Sequence, residues 1–314
     1  MTEAHIGLDV GGTAGRWVAC AGDGTVLARG RVAGATGHVF NPAERQRLSD
    51  CFAQLGAGLD QAGLSARGLV AGITGFGTAA AGDIRALASS ALAIAPGAIA
   101  VMDDIILAYA AHFRPGEGHL ISAGTGSIGI HVTAAGAVIR VGGRGILIDD
   151  AGSGSWIALA ALDRIYRAID ETGAPTGVEI LASEVFALVG GASWHDVRQY
   201  VYAGDRGRIG ALAVGVGRAA AQGDAVAIAI LEQAGRELAR LAEALIARGG
   251  RHEVALVGGV LTLDDRIVAA VRAALPGVSL STPVLDVALA AAQLPTRADG
   301  GAWRDIVDRQ PALG

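Results

Sequence analysis

Residues 6–31 and residues 118–143 of this 314-residue chain follow one pattern at a constant shift of 112 positions, without a gap. The copies share glycine positions, which pair as Gly12 with Gly124, Gly24 with Gly136, and Gly30 with Gly142. Each copy is typical of an apolar strand, a Gly-Thr turn, a second strand, a turn of small residues and a third strand. The repeat predicts a duplicated domain. Chance pairing of glycines is the alternative, and the similar order of elements after each copy argues against it.

Helices and strands alternate after each copy. In the first half, Asn41 is a good N-cap, Pro42 suits the first helical position, and apolar residues recur at helical spacing: Leu48, Phe52, Leu55 and Leu59. The later elements of that half are strands at Gly68–Ile73 and Ala98–Met102 and helices near 83–90 and 105–112. The second half has hairpins over 119–141, a helix opening near Ser153, an all-helical insertion over about 156–248, a strand at Val254–Val257, a helix and a terminal strand–helix pair.

These patterns predict an α/β fold of two mixed β-sheets flanked by helices. The N-terminal domain is predicted over residues 1–114, and the C-terminal domain over residues 115–314, which includes the helical insertion. Ligands prefer to bind between domains, so a ligand cleft is expected there.

Composition excludes several classes of protein. A net charge of -5 and a pI of about 5.8 argue against a nucleic-acid or anionic-membrane surface. Cys20 and Cys51 form no CxxC motif, which argues against a disulfide framework or structural zinc. The longest apolar stretch, Ala91–Met102, contains Pro96 and is shorter than the roughly 20 residues of a transmembrane helix. No signal peptide opens the chain, and the sequence predicts a soluble, cytoplasmic protein.

The segment Asp9–Thr13 is the first candidate for phosphate binding. The chain has 48 glycines, which interrupt short β segments. Glycines such as Gly11 and Gly12 let backbone N–H groups approach a phosphate. Asp9, at the end of the strand, can hold Mg²⁺ through water. The spacing is neither GxGxxG nor a Walker A motif. A plain tight hairpin is the alternative.

The second candidate lies at the equivalent turn of the repeat and comprises Gly124, Thr125, Gly126 and Ser127. Its alternative is again a hairpin. Two turns related by the repeat would face one another and hold one polyphosphate from both sides, which architecture alone does not explain.

Asp103 and Asp104 end a predicted strand and begin a helix. Capping and compensation of the helix dipole would explain them structurally. The functional interpretation is that one carboxylate lies at the domain boundary and accepts a proton from an attacking hydroxyl.

Two more glycine-rich segments are candidate ligand loops. Gly142–Trp156 combines glycines with acids and leads into a helix with Ser153 as a cap. Leu256–Val260 is a buried strand that ends in Gly258 and Gly259, where a flat ring or ribose can approach the backbone; a simple strand–helix turn is the alternative. His5, His131, Trp17 and Trp194 show no spacing typical of a metal site or aromatic cage and are interpreted as packing or surface residues.

In this order, the segments resemble the N-acetylglucosamine kinase-like branch of the actin-like ATPases, also called the BadF/BadG/BcrA/BcrD ATPase family. The resemblance spans roughly residues 5–293, and its most specific part is G-x-G-x(4)-D-x-G-S-x(2)-W-I from Gly143 to Ile157. It implies duplicated ribonuclease H-like (actin-like ATPase) domains. The family commonly has Asn near Gly37, Trp at Arg144 and Gly at Asp149, and these departures leave the sugar open.

The resemblance also implies roles for single residues. The ATP phosphates are assigned to Gly11, Gly12, Thr13, Gly124, Thr125, Gly126 and Ser127, adenosine to Gly258 and Gly259, and Mg²⁺ to Asp9. Asp104 matches the catalytic aspartate, and the sugar contacts are Thr74, Asp104, Gly143, Gly145 and Asp150. A sugar contact is missing or moved to His38 or Asn41.

The predicted function is transfer of the γ-phosphate of ATP to a hydroxyl, the 6-OH, of an amino sugar such as N-acetylglucosamine or glucosamine. Glucose and an acidic sugar remain open. One alternative is an ATPase that activates a partner enzyme, but Cys20 and Cys51 show no iron–sulfur cluster motif. Another is a non-catalytic sugar sensor. Such a sensor normally carries a DNA-binding helix-turn-helix, for which we expect no room before the first hairpin. The expected partner is a small sugar, and neither nucleic acid nor a membrane is expected to bind. A homodimer is common among similar proteins.

Overall fold

The computed structural model describes residues 1–204 and 206–309. Within them, five strands form a first mixed sheet: β1 (Thr2–Val10), β2 (Ala14–Cys20), β3 (Val26–Ala33), β4 (Leu64–Ile73) and β5 (Ile99–Asp103). A second sheet contains β6 (His119–Ala123), β7 (Ser127–Val132), β8 (Val138–Gly142), β9 (Val254–Val257) and β10 (Leu280–Ser281).

The two sheets have the same strand order. The first is β3-β2-β1-β4-β5 and the second is β8-β7-β6-β9-β10. In both, the first strand of the repeat pairs antiparallel with the second and parallel with the fourth. The predicted fold class of two mixed sheets flanked by helices is therefore confirmed.

Helices surround both sheets. The described helices are α1 (Pro42–Gln61), α2 (Ala81–Leu92), α3 (Asp104–Ala110), α4 (Gly154–Thr172), α5 (Glu179–Val189), α6 (Trp194–Tyr202), α7 (Arg206–Ala211), α8 (Ala213–Ala221), α9 (Ala225–Gly249), α10 (Asp265–Ala274), α11 (Val287–Gln293) and α12 (Gly300–Arg309). The predicted helical insertion corresponds to α4 through α9. No helix in the described part of the chain is both long and apolar enough to cross a bilayer.

The chain divides into two compact units. The first contains residues 1–117, 132–138 and those described from 284 onward, and the second contains residues 118–131 and those described within 139–283. The sequence-based domain boundary between residues 114 and 115 stays a prediction.

The first unit packs helices on both faces of its sheet. Alternate residues of β1, such as Ile6 and Leu8, lie in a core with Phe52 of α1 and Ile84 of α2. Each such side chain contributes roughly 1.5–3 kcal/mol on full burial. The opposite face approaches α11 so closely that a Cβ added to Gly7 would overlap a backbone oxygen of that helix. Any larger residue at position 7 would separate α11 from the sheet.

The second unit is organised around α9. Leu231, Leu238 and Leu245 recur every seven residues along this helix and lie in a buried cluster with Ile121 of β6. Asp224 caps the helix, since its side chain accepts hydrogen bonds from the N–H groups of Val226 and Ala227. This packing fixes the position of β6, whose end carries one of the predicted phosphate turns.

Candidate functional site

Three predicted site residues of the first unit lie at one edge of its sheet. Asp9 of β1 pairs with Gly72 of β4, and Ile73 of β4 pairs with Asp103 of β5, in parallel register. Parallel strands bring their carboxyl ends to the same edge, where ligands bind in sheets of this kind. The structure thus brings together Asp9, Thr74 and Asp104.

Asp103 and Asp104 have different environments. The Asp103 side chain is buried and caps α3, accepting a hydrogen bond from the N–H of Ile105 at 3.2 Å. Asp104 is the first residue of α3, is only half-buried, and makes no side-chain hydrogen bond to a described residue. Capping therefore explains Asp103 and leaves the carboxylate of Asp104 for another role.

Asp9 lies among other acids. Burial and, after it, the nearby charge of Asp104 raise the pKa of Asp9 to about 6; Arg16 lowers this pKa and Asp286 raises it. A cation beside these carboxylates would remove their repulsion, so the residues fit Mg²⁺. Mg²⁺ usually keeps several waters and is bound by one or two carboxylates and substrate phosphates. The described residues contain no cluster of three or more His, Cys, Asp or Glu that could hold a metal.

The turn after β1 leaves backbone donors free. Gly11 donates its N–H to the carbonyl of Ala14 at 3.1 Å, whereas Gly12 and Thr13 donate to no described residue. A Cβ added to Gly12 would meet no atom within 4 Å, so the backbone there is open to a ligand. Free N–H groups in a glycine turn suit a phosphate.

Thr74 is held against a loop that contains Gly37. Thr74 donates its N–H to the Val10 carbonyl at 3.0 Å and accepts the N–H of Gly37 at 2.9 Å. A Cβ on Gly37 would lie 2.7 Å from Cα of Phe76, so the loop can pass there only with glycine. This close approach gives a structural reason for glycine at a position where the family commonly has Asn nearby.

The same loop distinguishes His38 from Asn41. The Oδ1 atom of Asn41 accepts the N–H of Ala43 at 2.9 Å, which confirms the predicted N-cap of α1. The ring of His38 lies beside Gly75, where an added Cβ would be 2.7 Å from Nε2. With Asn41 engaged as a cap, His38 is the better candidate for a displaced sugar contact.

In the second unit, the turn after β6 and the end of β9 lie at the same edge of the sheet. Ser122 of β6 pairs in parallel with Val257 of β9. Gly258 has a φ of +112°, and an added Cβ would overlap the Ala123 carbonyl, whereas Gly259 faces open space. Gly258 therefore permits a close approach between strands, and Gly259 leaves backbone accessible to a ligand.

The predicted phosphate turn of this unit is anchored to α4. The N–H of Gly154 donates to the Gly124 carbonyl at 2.8 Å, and the N–H of Ser155 to the Thr125 carbonyl at 3.2 Å. Gly124 itself donates to Gly126, while the N–H groups of Thr125 and Gly126 have no acceptor among the described residues. The first turn of α4 thus fixes the carbonyls of this loop and leaves two N–H donors without an acceptor among the described residues. Ser127 begins β7 and donates its hydroxyl to Ala151 at 2.7 Å.

The predicted cap of α4 is confirmed. Ser153 is fully buried and accepts the N–H of Trp156 at 3.2 Å. Because a side-chain cap fixes the first turn of a helix, Ser153 also fixes the two N–H groups that hold the phosphate turn.

Asp150 lies behind this turn. It is a non-glycine residue with a φ of +65° and is 2 % exposed, and a Cβ added to Gly126 would lie 2.9 Å from its Oδ2 atom. Burial raises its pKa, whereas the backbone N–H of Gly145 and the charge of Arg206 lower it. Oδ2 is buried without a hydrogen-bond partner among the described residues. The strained backbone and unsatisfied oxygen are typical of a functional carboxylate.

The other glycines of this loop differ in their surroundings. Gly143 has a φ of +65°, and an added Cβ would lie 2.9 Å from Cδ1 of Ile128, so it packs against β7. Gly145 has a φ of +89° and faces open space. Of these two glycines, both predicted to contact the sugar, Gly145 is the one whose backbone a ligand can approach.

Sequence reasoning missed Asp286 and Arg206. Asp286 caps α11 and forms an ion pair with Arg29 at 2.6 Å, and its charge influences Asp9. The backbone carbonyl of Arg206 accepts the hydroxyl of Ser155 at 3.2 Å, and its side-chain charge influences Asp150. Neither residue lies in a recognisable motif. The only local signal for Asp286 is an acid immediately before a helix of small apolar residues.

Known proteins match most of the chain. The sequence model of the BadF/BadG/BcrA/BcrD ATPase family matches residues 6–284. The N-acetylmuramic acid/N-acetylglucosamine kinase of Clostridium acetobutylicum is 33% identical over 144 residues, 45% of this chain and 46% of that relative. The matched region thus spans about half the length of this curated relative.

Solved structures support the fold. A candidate N-acetylglucosamine kinase from Chromobacterium violaceum has 27% identity and a TM-score of 0.69, covering 94% of this chain and 99% of the other. A ROK family glucokinase from Streptomyces griseus, in complex with glucose and AMPPNP, has 16% identity and a TM-score of 0.59, covering 92% of this chain and 97% of the other. The second match shows a shared fold alone.

Proposed function

The chain belongs to the BadF/BadG/BcrA/BcrD ATPase family, and from this premise we propose that it is an ATP-dependent kinase that phosphorylates an amino sugar. The observation that carries the proposal is the pair Asp9 and Asp104 at one sheet edge. Asp103 supplies the helix cap, so Asp104 is available for chemistry. The matching kinases of other organisms support the reaction class.

Phosphoryl transfer requires mainly positioning and stabilisation of charge. Asp104 accepts the proton of the attacking sugar hydroxyl, the 6-OH, and a positioned base contributes about 10²–10⁴-fold. Asp9 would hold Mg²⁺ through water, and the ion would supply positive charge beside the phosphates. The free N–H groups of Gly12, Thr13, Thr125 and Gly126 bind phosphate oxygens, together with the neighbouring residues Gly11, Gly124 and Ser127. Bound MgATP supplies the γ-phosphoryl group and a metal charge that neutralises the phosphate oxygens.

The remaining predicted contacts divide between adenosine and sugar. Adenosine lies against the backbone of Gly258 and Gly259, of which Gly259 is open to a ligand. The sugar is bound by Thr74, Gly145 and Asp150, while Gly143 packs against β7 and supports the loop. A sugar hydroxyl would satisfy the buried Oδ2 of Asp150, which has no partner among the described residues.

N-acetylglucosamine is the proposed substrate, and an acidic amino sugar is a second candidate. Arg144 is exposed in the Gly142–Trp156 loop and supplies a cation to a sugar carboxylate. The Clostridium acetobutylicum relative is described as acting on both N-acetylmuramic acid and N-acetylglucosamine. A homodimer in the cytoplasm is proposed for the working enzyme.

An activator ATPase is the competing function, and the cysteines argue against it. A cluster that bridges two subunits needs accessible thiolates. Cys20 and Cys51 are both fully buried, and burial raises the pKa of Cys51 to about 12. Neither thiol is therefore suited to bind a shared cluster at a surface.

A coupled assay of ADP release tests the proposal. The purified protein is incubated with MgATP and, separately, N-acetylglucosamine, N-acetylmuramic acid, glucosamine or glucose. We expect ADP release that depends on an amino sugar, with one phosphate transferred per ADP. Release without sugar would indicate an activator, and no release with any sugar would indicate a sensor; either result would overturn the kinase assignment.

A further inference from the structure

We propose that the first unit contains a second ligand site, a cavity that binds a small organic anion with an apolar body and a carboxylate. The cavity has a volume of about 300 Å³ and lies between the sheet and the segment that contains α12; we call it the sheet cavity. Its volume is at the lower end of the ~300–1,000 Å³ range of small-molecule sites. This proposal does not depend on the kinase assignment.

Most strand residues of the sheet cavity lie away from the carboxyl ends of the strands, whereas Met102 of β5 is in register with Gly72 of β4 and, through it, with Asp9. His5 of β1 lines it, four residues before Asp9. At about 3.3 Å per residue, these two positions are roughly 13 Å apart along the strand. Ala100 and Met102 of β5 also line the cavity and alternate with Ile99 and Val101, which lie in the core on the opposite face. The cavity therefore belongs to the sheet face that does not carry α1 and α2.

The interior of the cavity is apolar. Its walls include Val70, Ala100, Met102, Leu294 and Trp303. Met102 and Trp303 are fully buried, and the indole N–H of Trp303 donates to Asp299 at 3.0 Å. Since that polar atom already has its partner, Trp303 presents a hydrophobic ring surface to the cavity. Such walls select a ligand with several carbon atoms.

The polar lining is cationic. Arg67 and Arg304 line the cavity together with His5, and none of the described lining residues is acidic. Arg67 makes no ion pair or side-chain hydrogen bond within the described part of the chain. Arg304 donates one N–H to the Gly97 carbonyl, and a guanidinium has five N–H donors, so others remain. Two arginines with available donors suit a carboxylate.

The pKa of His5 shows that the positive charge of Arg67 is felt at the sheet cavity. Burial and, after it, the positive charge of Arg67 lower the pKa of His5. An anion bound between them would compensate the charge of Arg67, and neutral His5 can add a hydrogen bond. The apolar walls and the cationic lining together define the ligand class as a small apolar monocarboxylate.

Isothermal titration calorimetry with hexanoate tests the proposal. The full chain is titrated with hexanoate, with neutral hexanamide and with inorganic phosphate, each in the absence and presence of saturating AMPPNP. We expect saturable binding of hexanoate at one site, at least about tenfold weaker binding of hexanamide and phosphate, and no change with AMPPNP. Equal binding of hexanoate and hexanamide would overturn the proposal, as would loss of hexanoate binding with AMPPNP.

Variants test the arginines and the apolar walls of the sheet cavity separately. Arg67→Gln and Arg304→Gln should each weaken hexanoate binding roughly tenfold. Ala100→Leu adds three carbon atoms to the wall of the cavity and should weaken binding at least about tenfold. Arg272→Gln, at an exposed position of α10, removes the same charge elsewhere and should leave binding unchanged. If hexanoate binds Ala100→Leu as tightly as the unchanged protein, the arginines bind anions without the cavity and the proposal fails.

A second measurement does not depend on the folding of Ala100→Leu. Trp303 is a wall of the cavity, so 6-bromohexanoate should quench part of the tryptophan fluorescence with a saturable dependence on concentration. Unlabelled hexanoate should reverse the quenching, and Trp303→Phe should remove it. Saturable quenching that persists in Trp303→Phe would place the bromine near another tryptophan and reject the sheet cavity as the site.

Discussion

Asp9 and Asp104 are a pair of like charges at the carboxyl edge of the first sheet. Burial of Asp9, and then the charge of Asp104, raise the pKa of Asp9 to about 6. The two acids come from β1 and from the start of α3, and the parallel strands bring them to one edge. In the absence of a cation, this arrangement costs free energy at neutral pH because the folded protein must hold a buried carboxylate near another one.

Asp9→Asn should therefore stabilise the metal-free protein at neutral pH. Since the pKa of Asp9 is raised, its unfavourable effect on folding is fully present above about pH 6 and shrinks as pH falls towards the unfolded value of 3.8, below which the carboxyl is mostly neutral in both folded and unfolded chains. The expected gain at pH 8 is on the order of 3 kcal/mol, and only a small part of it should remain at pH 4. Urea unfolding of both proteins at the two pH values measures it.

The same variant should lose its response to Mg²⁺. The unchanged protein should gain stability when Mg²⁺ and AMPPNP are added together, and Asp9→Asn should gain much less, because the amide carries no charge for the metal. A variant that keeps the full gain would show that Asp9 does not hold the metal.

Asp104→Asn should lower kcat by about 10²–10⁴-fold while the melting temperature changes little. The neighbouring change Asp103→Asn is its matched control, because asparagine also caps helices well and the cap of α3 can be kept. Turnover of Asp103→Asn should stay within a few-fold of normal. Steady-state kinetics with thermal denaturation measure both variants, and near-normal kcat in Asp104→Asn would remove it from the role of base.

The features that could be predicted from the sequence are those encoded within short segments of the chain. Asn41 and Ser153 act as caps through contacts within three residues, and both are visible as motifs. The 112-residue repeat likewise predicts the shared strand order, because each hairpin is encoded in a short segment. Which of Asp103 and Asp104 serves as the cap was not predictable, since both are good caps and only the geometry of α3 distinguishes them.

Contacts between distant segments could not be predicted. Asp286 joins the surroundings of Asp9 only because α11 returns to the first sheet, where Asp286 pairs with Arg29, 257 residues earlier. His131 was interpreted as a packing or surface residue, and the structure places it, buried, beside the buried His119 and the half-buried His252. No spacing in the sequence connects these three residues, because they come from two strands and a loop.

The histidine cluster should make the fold sensitive to acid. Burial lowers the pKa of His119 to about 4 and also lowers that of His131. The neutral rings thus contribute stability above the unfolded pKa of 6.5, and this contribution is lost as pH falls towards 4. For His119 the loss is on the order of 3 kcal/mol.

Unfolding by urea between pH 7 and pH 4 measures this loss. His119→Gln keeps a donor for the Gly250 carbonyl but does not titrate, so its stability should fall less steeply with acid. His195→Gln, at an exposed position of α6, is the control and should follow the unchanged protein. Identical pH slopes for all three proteins would show that the cluster does not control acid stability.

Gly258 and Gly259 are adjacent and should respond to alanine in opposite ways. Gly258 has a φ of +112°, and its added Cβ would overlap the Ala123 carbonyl, so Gly258→Ala should destabilise the protein by at least about 1–3 kcal/mol. Gly259 has open space around it, so Gly259→Ala should leave the melting temperature nearly unchanged.

If adenosine lies against this backbone, the new methyl group should raise the KM for ATP several-fold while the KM for sugar stays constant. Melting curves and steady-state kinetics of the two variants give both quantities, and an unchanged KM for ATP in Gly259→Ala would place the adenosine elsewhere.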